Sequence, residues 1–118
     1  MMRDTKFRGY VADEKQFVYG YLMPNNRIYQ TYEPKKGCCG VGIFSVVSES
    51  IGQYTGCRDI NNRKIYEQDI LKSKENLYYK IVYENGGYML KGLDQTIPFI
   101  EVSLNDFEII GNSFEMEG

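Results

Sequence analysis

A mainly β fold is what this sequence predicts, and three observations carry the prediction. No window sustains the apolar spacing of an amphipathic helix. Short runs of alternating or β-branched apolar residues recur instead, separated by Asn, Gly and Pro signals. Aromatic residues reach 14% of the 118, with eleven Tyr among them, and Tyr and Phe suit half-buried pleated surfaces. At 42% hydrophobic and 25% charged, the composition is that of a folded chain. A chain of this length buries roughly 65% of its unfolded surface, enough for a core without staples.

Residues 6–11 read as a first strand anchored on Phe7 and Tyr10. The polar turn Asp13-Glu14-Lys15 leads into residues 16–23, where Phe17, Tyr19, Tyr21 and Met23 alternate with Val18 and Leu22. Gly20 interrupts that run and marks a bulge or a close backbone approach. Pro24-Asn25-Asn26 is a hairpin turn, because Asn tolerates positive φ, and residues 27–32 return as its partner strand. Residues 33–42, with adjacent Cys38 and Cys39, read as a loop, and residues 43–47 as a short β-branched strand. Residues 1–50 are thus expected to form an N-terminal β-meander section.

Residues 52–71 open the second half with an extended arm, a polar turn over 58–64 and a new strand starting at Asp69-Ile70-Leu71. Residues 77–84 form its strongest strand. Asn85-Gly86-Gly87 is a tight-hairpin signal, and residues 88–91 pair back. A loop over 92–98, a short strand over 99–102, a single turn at 103–106 and a last strand over 107–110 follow. Ser103, with an acid three residues later, fits a variant capping box. Residues 111–118 read as an acidic tail. This order resembles the layout of Src-homology-3-like barrels, which place one tight turn before their final strand. The expectation is a small β-barrel over residues 51–118, packed with the N-terminal section as one compact unit.

Fourteen basic and sixteen acidic residues give a net charge of −2, which argues against a broad phosphate-binding surface. The chain has no His, so Ser-His and Cys-His nucleophile systems are excluded. With three Cys and no C-x-x-C spacing, a zinc site would need every thiol plus a carboxylate. No cofactor is expected, and the thiols read as reduced cysteines of a cytoplasmic protein. The N-terminus lacks the apolar run of a signal peptide. The longest near-apolar run, residues 41–47, falls far short of a membrane span, so no membrane partner is expected.

The candidate binding residues are Tyr54, Arg58, Asp59, Arg63, Tyr66, Glu67 and Asp69. On one strand, Glu67 and Asp69 would share a face, and a carboxylate pair can hold a divalent cation or act as acid and base. That is the metal-dependent hydrolase reading. Its competitor has Asp69 accepting backbone N–H bonds in the turn, with Glu67 solvated or paired with Lys64. Thr55, Asp59, Asn61 and Asn62 are turn formers that either fix their own loop or clasp a ligand. Arg58, Arg63 and Lys64, near Tyr54 and Tyr66, carry a nucleic-acid reading. Tyr19, Tyr21, Tyr29, Tyr54, Tyr66, Tyr79, Tyr83 and Tyr88 exceed what a core of this size needs. Exposed, they grip a peptide; packed, they keep their hydroxyls at the rim.

Gln53-Tyr54-Thr55-Gly56, a charged turn, Ile65-Tyr66-Glu67 and Asp69-Ile70 together resemble the motif of YopX-type proteins of bacteriophages and prophages. Lys6-Phe7-Arg8-Gly9, residues 17–22, residues 82–88 and residues 107–112 resemble the same family's opening, central hairpin and closing strand. Cys57 stands where the pattern has Leu, and Gln68 where it has Gly. The resemblance implies a Src-homology-3-like barrel with an added β-section, and no assigned activity. The functional expectation is a phage- or prophage-derived, non-enzymatic binding module for a host or phage protein. Nucleic-acid binding and metal-dependent hydrolysis are the alternatives, and edge strands leave homo-oligomers open.

Overall fold

The computed structural model describes residues 7–31 and 40–117. The chain divides into two compact units, Met1–Tyr54 and Thr55–Gly118. Lys6, Tyr32 and the Cys38-Cys39 pair lie outside the described residues. No described helix is long and apolar enough to cross a membrane.

In the first unit, β1 (Phe7–Val11), β2 (Gln16–Met23), β3 (Arg27–Gln30) and β4 (Gly42–Ser45) form an antiparallel meander. The loop from β2 to β3 closes on Asn25 and Asn26, at φ 64° and 57°, as their side chains predict. A Cβ on Gly20 would lie 1.9 Å from the Tyr29 carbonyl oxygen. Gly20 therefore marks a close backbone approach, the second of its two sequence readings. The neighbouring Tyr19 N–H is taken by the buried Gln30 side chain, whose Oε1 accepts it at 3.0 Å while Nε2 donates to the Gly40 carbonyl at 2.7 Å. Val11, Val18, Ile28 and Val46 make the core, with Phe7, Phe44 and Ile51 against it. Leu22, alternating with Val18's face in sequence, is nonetheless exposed. Ser50, in a 3₁₀ turn over Ser48–Ser50, accepts the Tyr10 N–H and donates to Val47 O. That turn leads into β5 (Gly52–Arg58), whose first residues pair with β1.

β5 ends in the second unit and is followed by β6 (Lys64–Tyr66), its hydrogen-bonded neighbour. Next come β7 (Asp69–Lys72), β8 (Tyr78–Glu84), β9 (Gly87–Lys91), β10 (Thr96–Pro98) and β11 (Glu108–Asn112). These last five form one antiparallel sheet in the order β10-β9-β8-β7-β11. Asn85 and Gly86, at φ 53° and 83°, build the β8–β9 turn, the geometry that an Asn-Gly pair favours. Ile65, Leu71, Tyr79, Ile81, Leu90, Leu104 and Phe107 are the buried core.

The second half departs from expectation in four places. The sheet is not a closed barrel: among the described residues β10 and β11 remain its two edges. β10 is only three residues long and ends in Pro98, which has no N–H to extend a ladder. Residues 99–102 are not a strand either. Phe99–Glu101 is a 3₁₀ turn behind Pro98, and the strand lies one step earlier, inside the expected loop. Ser103 makes no side-chain cap; backbone bonds from Asp106 N and Phe107 N close its turn. Finally, the expected tail continues β11 to Asn112 and then forms a short helix, α1 (Ser113–Glu117). Asn112 Oδ1 accepts the Glu115 N–H at 2.9 Å, and Asn112 Nδ2 donates to Glu115 Oε1 at 2.7 Å. That is an Asn-x-x-Glu cap satisfying a helix N-terminus.

Candidate functional site

The polar turn at the end of β5 is organised by one carboxylate. Asp59 is almost fully buried. Its Oδ1 accepts the backbone N–H groups of Asn61 and Arg63, at 2.9 and 2.8 Å, and its Oδ2 accepts that of Ile109 at 3.0 Å. The Arg63 guanidinium lies 3.3 Å from Oδ2 and donates to the Ile109 carbonyl at 2.6 Å. The Ile60 N–H donates to Phe107 O, and Arg58 donates to Asn62 O. Burial alone would push the Asp59 carboxyl up. The Ile109, Arg63 and Asn61 N–H donors and the Arg63 charge outweigh burial and hold it below its ordinary 3.8. Arg58, Asp59 and Arg63 are therefore brought together: Asp59 and Arg63 fasten the turn to β11, and Arg58 bonds within the turn.

A second carboxylate organises the next turn. Asp69 is also buried, and its Oδ2 accepts the Tyr66 N–H at 2.8 Å, the turn role that its position suggested. Glu67 and Gln68 form the connection between β6 and β7. Glu67 and Asp69 thus do not share a strand, and the alternation that would put them on one face does not apply. The Glu67 charge is felt at Tyr88 instead. Burial raises that phenol above its ordinary 10.0, and Glu67 and Tyr83 raise it further. Among the described residues no group of three or more Cys, Asp or Glu side chains gathers as a metal site would require. Thr55 Oγ1 donates to Ile65 O at 2.8 Å and accepts the Cys57 N–H, while Cys57 is a half-buried free thiol against the core. Tyr66 is buried, and Tyr54, in the first unit, is half-buried.

A family model described as YopX protein matches residues 6–117. The chain belongs to the YopX family. No curated protein matches it. In the segment carrying the YopX pattern, Thr55 ties β5 to β6, Ile65 sits in the core, and Asp69 caps the turn. Its departure at Gln68 also has a backbone meaning. Gln68 sits at φ 76°, a region that favours the Gly of the YopX pattern. Its N–H donates to Ile81 O and its carbonyl accepts from Ser113, so the conformation is pinned from both sides. Gln68→Gly is therefore expected to be more stable than Gln68→Val by about 1–2 kcal/mol, since a β-branched residue is strained there. Urea unfolding of the two variants measures the difference.

Two exposed surfaces carry chemistry that the candidate list missed. On the first unit, Tyr21, Tyr29 and Ile43 stand in one row across β2, β3 and β4, at 49%, 44% and 53% exposure. On the second, a groove of about 690 Å³ runs over β7, β8 and β9 and is walled by residues 92–95. Most of the other tyrosines pack. Tyr79 meets Phe107 edge-on, and Tyr88 contacts both Tyr83 and Phe99.

Proposed function

We propose that this YopX-family chain is a phage- or prophage-derived binding module that acts without catalysis of its own and docks a protein partner on its first unit. The observation that carries the reading is the row Tyr21–Tyr29–Ile43, exposed beside β4. Among the described residues β4 is an edge strand, and edge strands with adjacent apolar side chains accept an added strand. Tyr supplies large amphipathic contact area and is enriched among binding hot spots. In the second unit, the run of four antiparallel strands, two 3₁₀ turns and a fifth strand returning beside the first supports a Src-homology-3-like connectivity.

The nucleic-acid reading has less support. Arg58 and Arg63 spend guanidinium donors on Asn62 O and Ile109 O. The hydrolase reading lacks its common strand for Glu67 and Asp69.

Photo-crosslinking from position 29 in cells of the bacterial host tests the proposal. The expected result is a discrete heterologous adduct that Ile43→Glu abolishes. Tyr21→Ala is expected to weaken the captured interaction about 30-fold, the scale of a hot-spot residue. No adduct, or one indifferent to Ile43→Glu, overturns the reading. An adduct with a second copy alone replaces the partner with the chain itself.

A further inference from the structure

The core-bearing face of the second unit's sheet ends in a row of rings. Ile81 stands opposite Leu90, and two positions further along β8 Tyr83 stands opposite Tyr88. Strand alternation puts both pairs on one face. The same register sets Lys80 opposite Lys91 on the outer face, where both line the groove. Pro98 stands opposite Met89, which brings Phe99 level with Tyr88. Tyr88 and Phe99 are half-buried against the core. Tyr83 is 54% exposed, and Ile100, beside Phe99, is 92% exposed. Tyr83 and Tyr88 meet at 5.1 Å and 79°, and Tyr88 and Phe99 at 5.6 Å and 36°. An edge-on contact covers at most one face of a ring, so Tyr83 keeps a face open to solvent.

The charge around this rim is one-sided. The segments that meet there, residues 66–68, 83–88 and 98–102, hold Glu67, Glu84 and Glu101 but no Lys or Arg. The Gln68 N–H donates to Ile81 O, which seats the turn bearing Glu67 beside β8, close to Tyr83. Glu84 alternates to the outer face and lies 3.2 Å from Lys91. Glu67 and the exposed Glu101 are therefore the acids left to the rim. Beyond the effect of burial, the Glu67 charge raises the Tyr88 phenol, which places that carboxylate within electrostatic reach of the rings.

We infer that this rim binds an arginine side chain of a partner protein, with the guanidinium stacked on Tyr83 and its charge met by Glu67. Aromatic faces attract cations, and an acidic surround adds to that attraction. The choice of cation follows from the ring spacing. Tyr83, Tyr88 and Phe99 already touch one another, so no ammonium fits between them as it would in an enclosing cage. An open ring face suits the planar, weakly hydrated guanidinium, which stacks where an ammonium stays hydrated. Small-molecule sites enclose most of their ligand. Tyr83 and Ile100 are too exposed for that, and an aromatic surface of this kind suits a side chain carried by a protein partner. Phosphate is repelled by the same acids, which disfavours nucleic acid. This surface is separate from the Tyr21–Tyr29–Ile43 row, and the inference does not depend on that row.

The test follows the aromatic NMR signals of the full chain during titration with the peptide acetyl-Gly-Ser-Arg-Ser-Gly-amide. Matched peptides carry Lys, or citrulline as the uncharged isostere, in place of Arg, and an oligothymidine is the fourth probe. The Arg peptide is expected to move the Tyr83, Tyr88 and Phe99 signals. It is expected to bind at least about threefold tighter than either control, the scale of an exposed cation–π contact. Tyr83→Leu removes that preference, Tyr83→Phe keeps it and Glu67→Gln reduces it. Tyr29→Ala leaves it intact, which separates this result from failure of the first-unit reading. Equal binding of the Arg and citrulline peptides, no Arg-peptide binding at a Kd below about 10 mM, shifts that avoid the three rings, a preference that survives Tyr83→Leu, or oligothymidine binding at the same rings overturns the inference. Unchanged urea midpoints for Tyr83→Leu and Glu67→Gln show that the variants are folded.

Discussion

Asp59→Ala is expected to destabilise the second unit by about 3 kcal/mol. The substitution strands three backbone donors, Asn61, Arg63 and Ile109 N–H. An unsatisfied buried donor costs about 1–3 kcal/mol, and partial access of water keeps each near the lower end. The Arg63 ion pair adds little to this total, because its side chain is half exposed. The loss has a spatial signature: amide exchange accelerates at Ile109 as well as in the turn, since the carboxylate ties the two together. Unfolding at an unchanged urea midpoint, with Ile109 still protected, would refute the role. Acid supplies a second readout. The folded pKa of Asp59 is lowered, so its contribution is complete above the unfolded value. It is lost as pH falls through the folded one. The stability gap between wild type and Asp59→Asn is therefore expected to be widest near pH 7 and to shrink from about pH 5 downward. A gap that does not change with pH would mean that the carboxylate's charge is not what holds the turn.

The same residue shows where sequence reading stops. That Asp59 forms a turn is local chemistry, and the flanking Asn61 and Asn62 announce it. Its hold on Ile109, fifty positions away, has no local signal. Both exposed rows were within reach of the sequence. Counting back from the Asn85-Gly86 turn pairs Tyr83 with Tyr88, and counting back from Pro24-Asn25-Asn26 pairs Tyr21 with Tyr29. The candidate residues were instead drawn from the stretch that names the family, where Thr55, Arg58, Asp59, Arg63 and Asp69 bond backbone groups of their own fold. The Asn112–Glu115 cap was also legible as a motif. It went unread because a five-residue helix is too short to show apolar periodicity. Whether the sheet closes into a barrel depends on how β10 and β11 meet, and neither strand's pattern encodes that.

Leu90→Ala is the other large expected effect, and it tests which way the sheet faces. Leu90 is fully buried on β9, opposite Ile81 on β8 and Ile97 on β10. Truncating such a side chain costs about 2–5 kcal/mol, through lost transfer energy plus the cavity left behind. Against a whole-protein stability of about 5–15 kcal/mol, that is a large share. Leu93→Ala, three residues on but 99% exposed, is expected to shift the urea midpoint hardly at all. The contrast matters because strand side chains alternate with period two, so a one-residue slip of β9 would exchange every inward and outward position. Leu90 inward is the same statement as Lys91 outward, and on β8 Ile81 inward is the same statement as Lys80 outward. If Leu93→Ala proved as costly as Leu90→Ala, the face that displays the two lysines would not be the one described. If Leu90→Ala alone is costly, the register that sets Lys80 against Lys91 stands on a measurement independent of any binding partner.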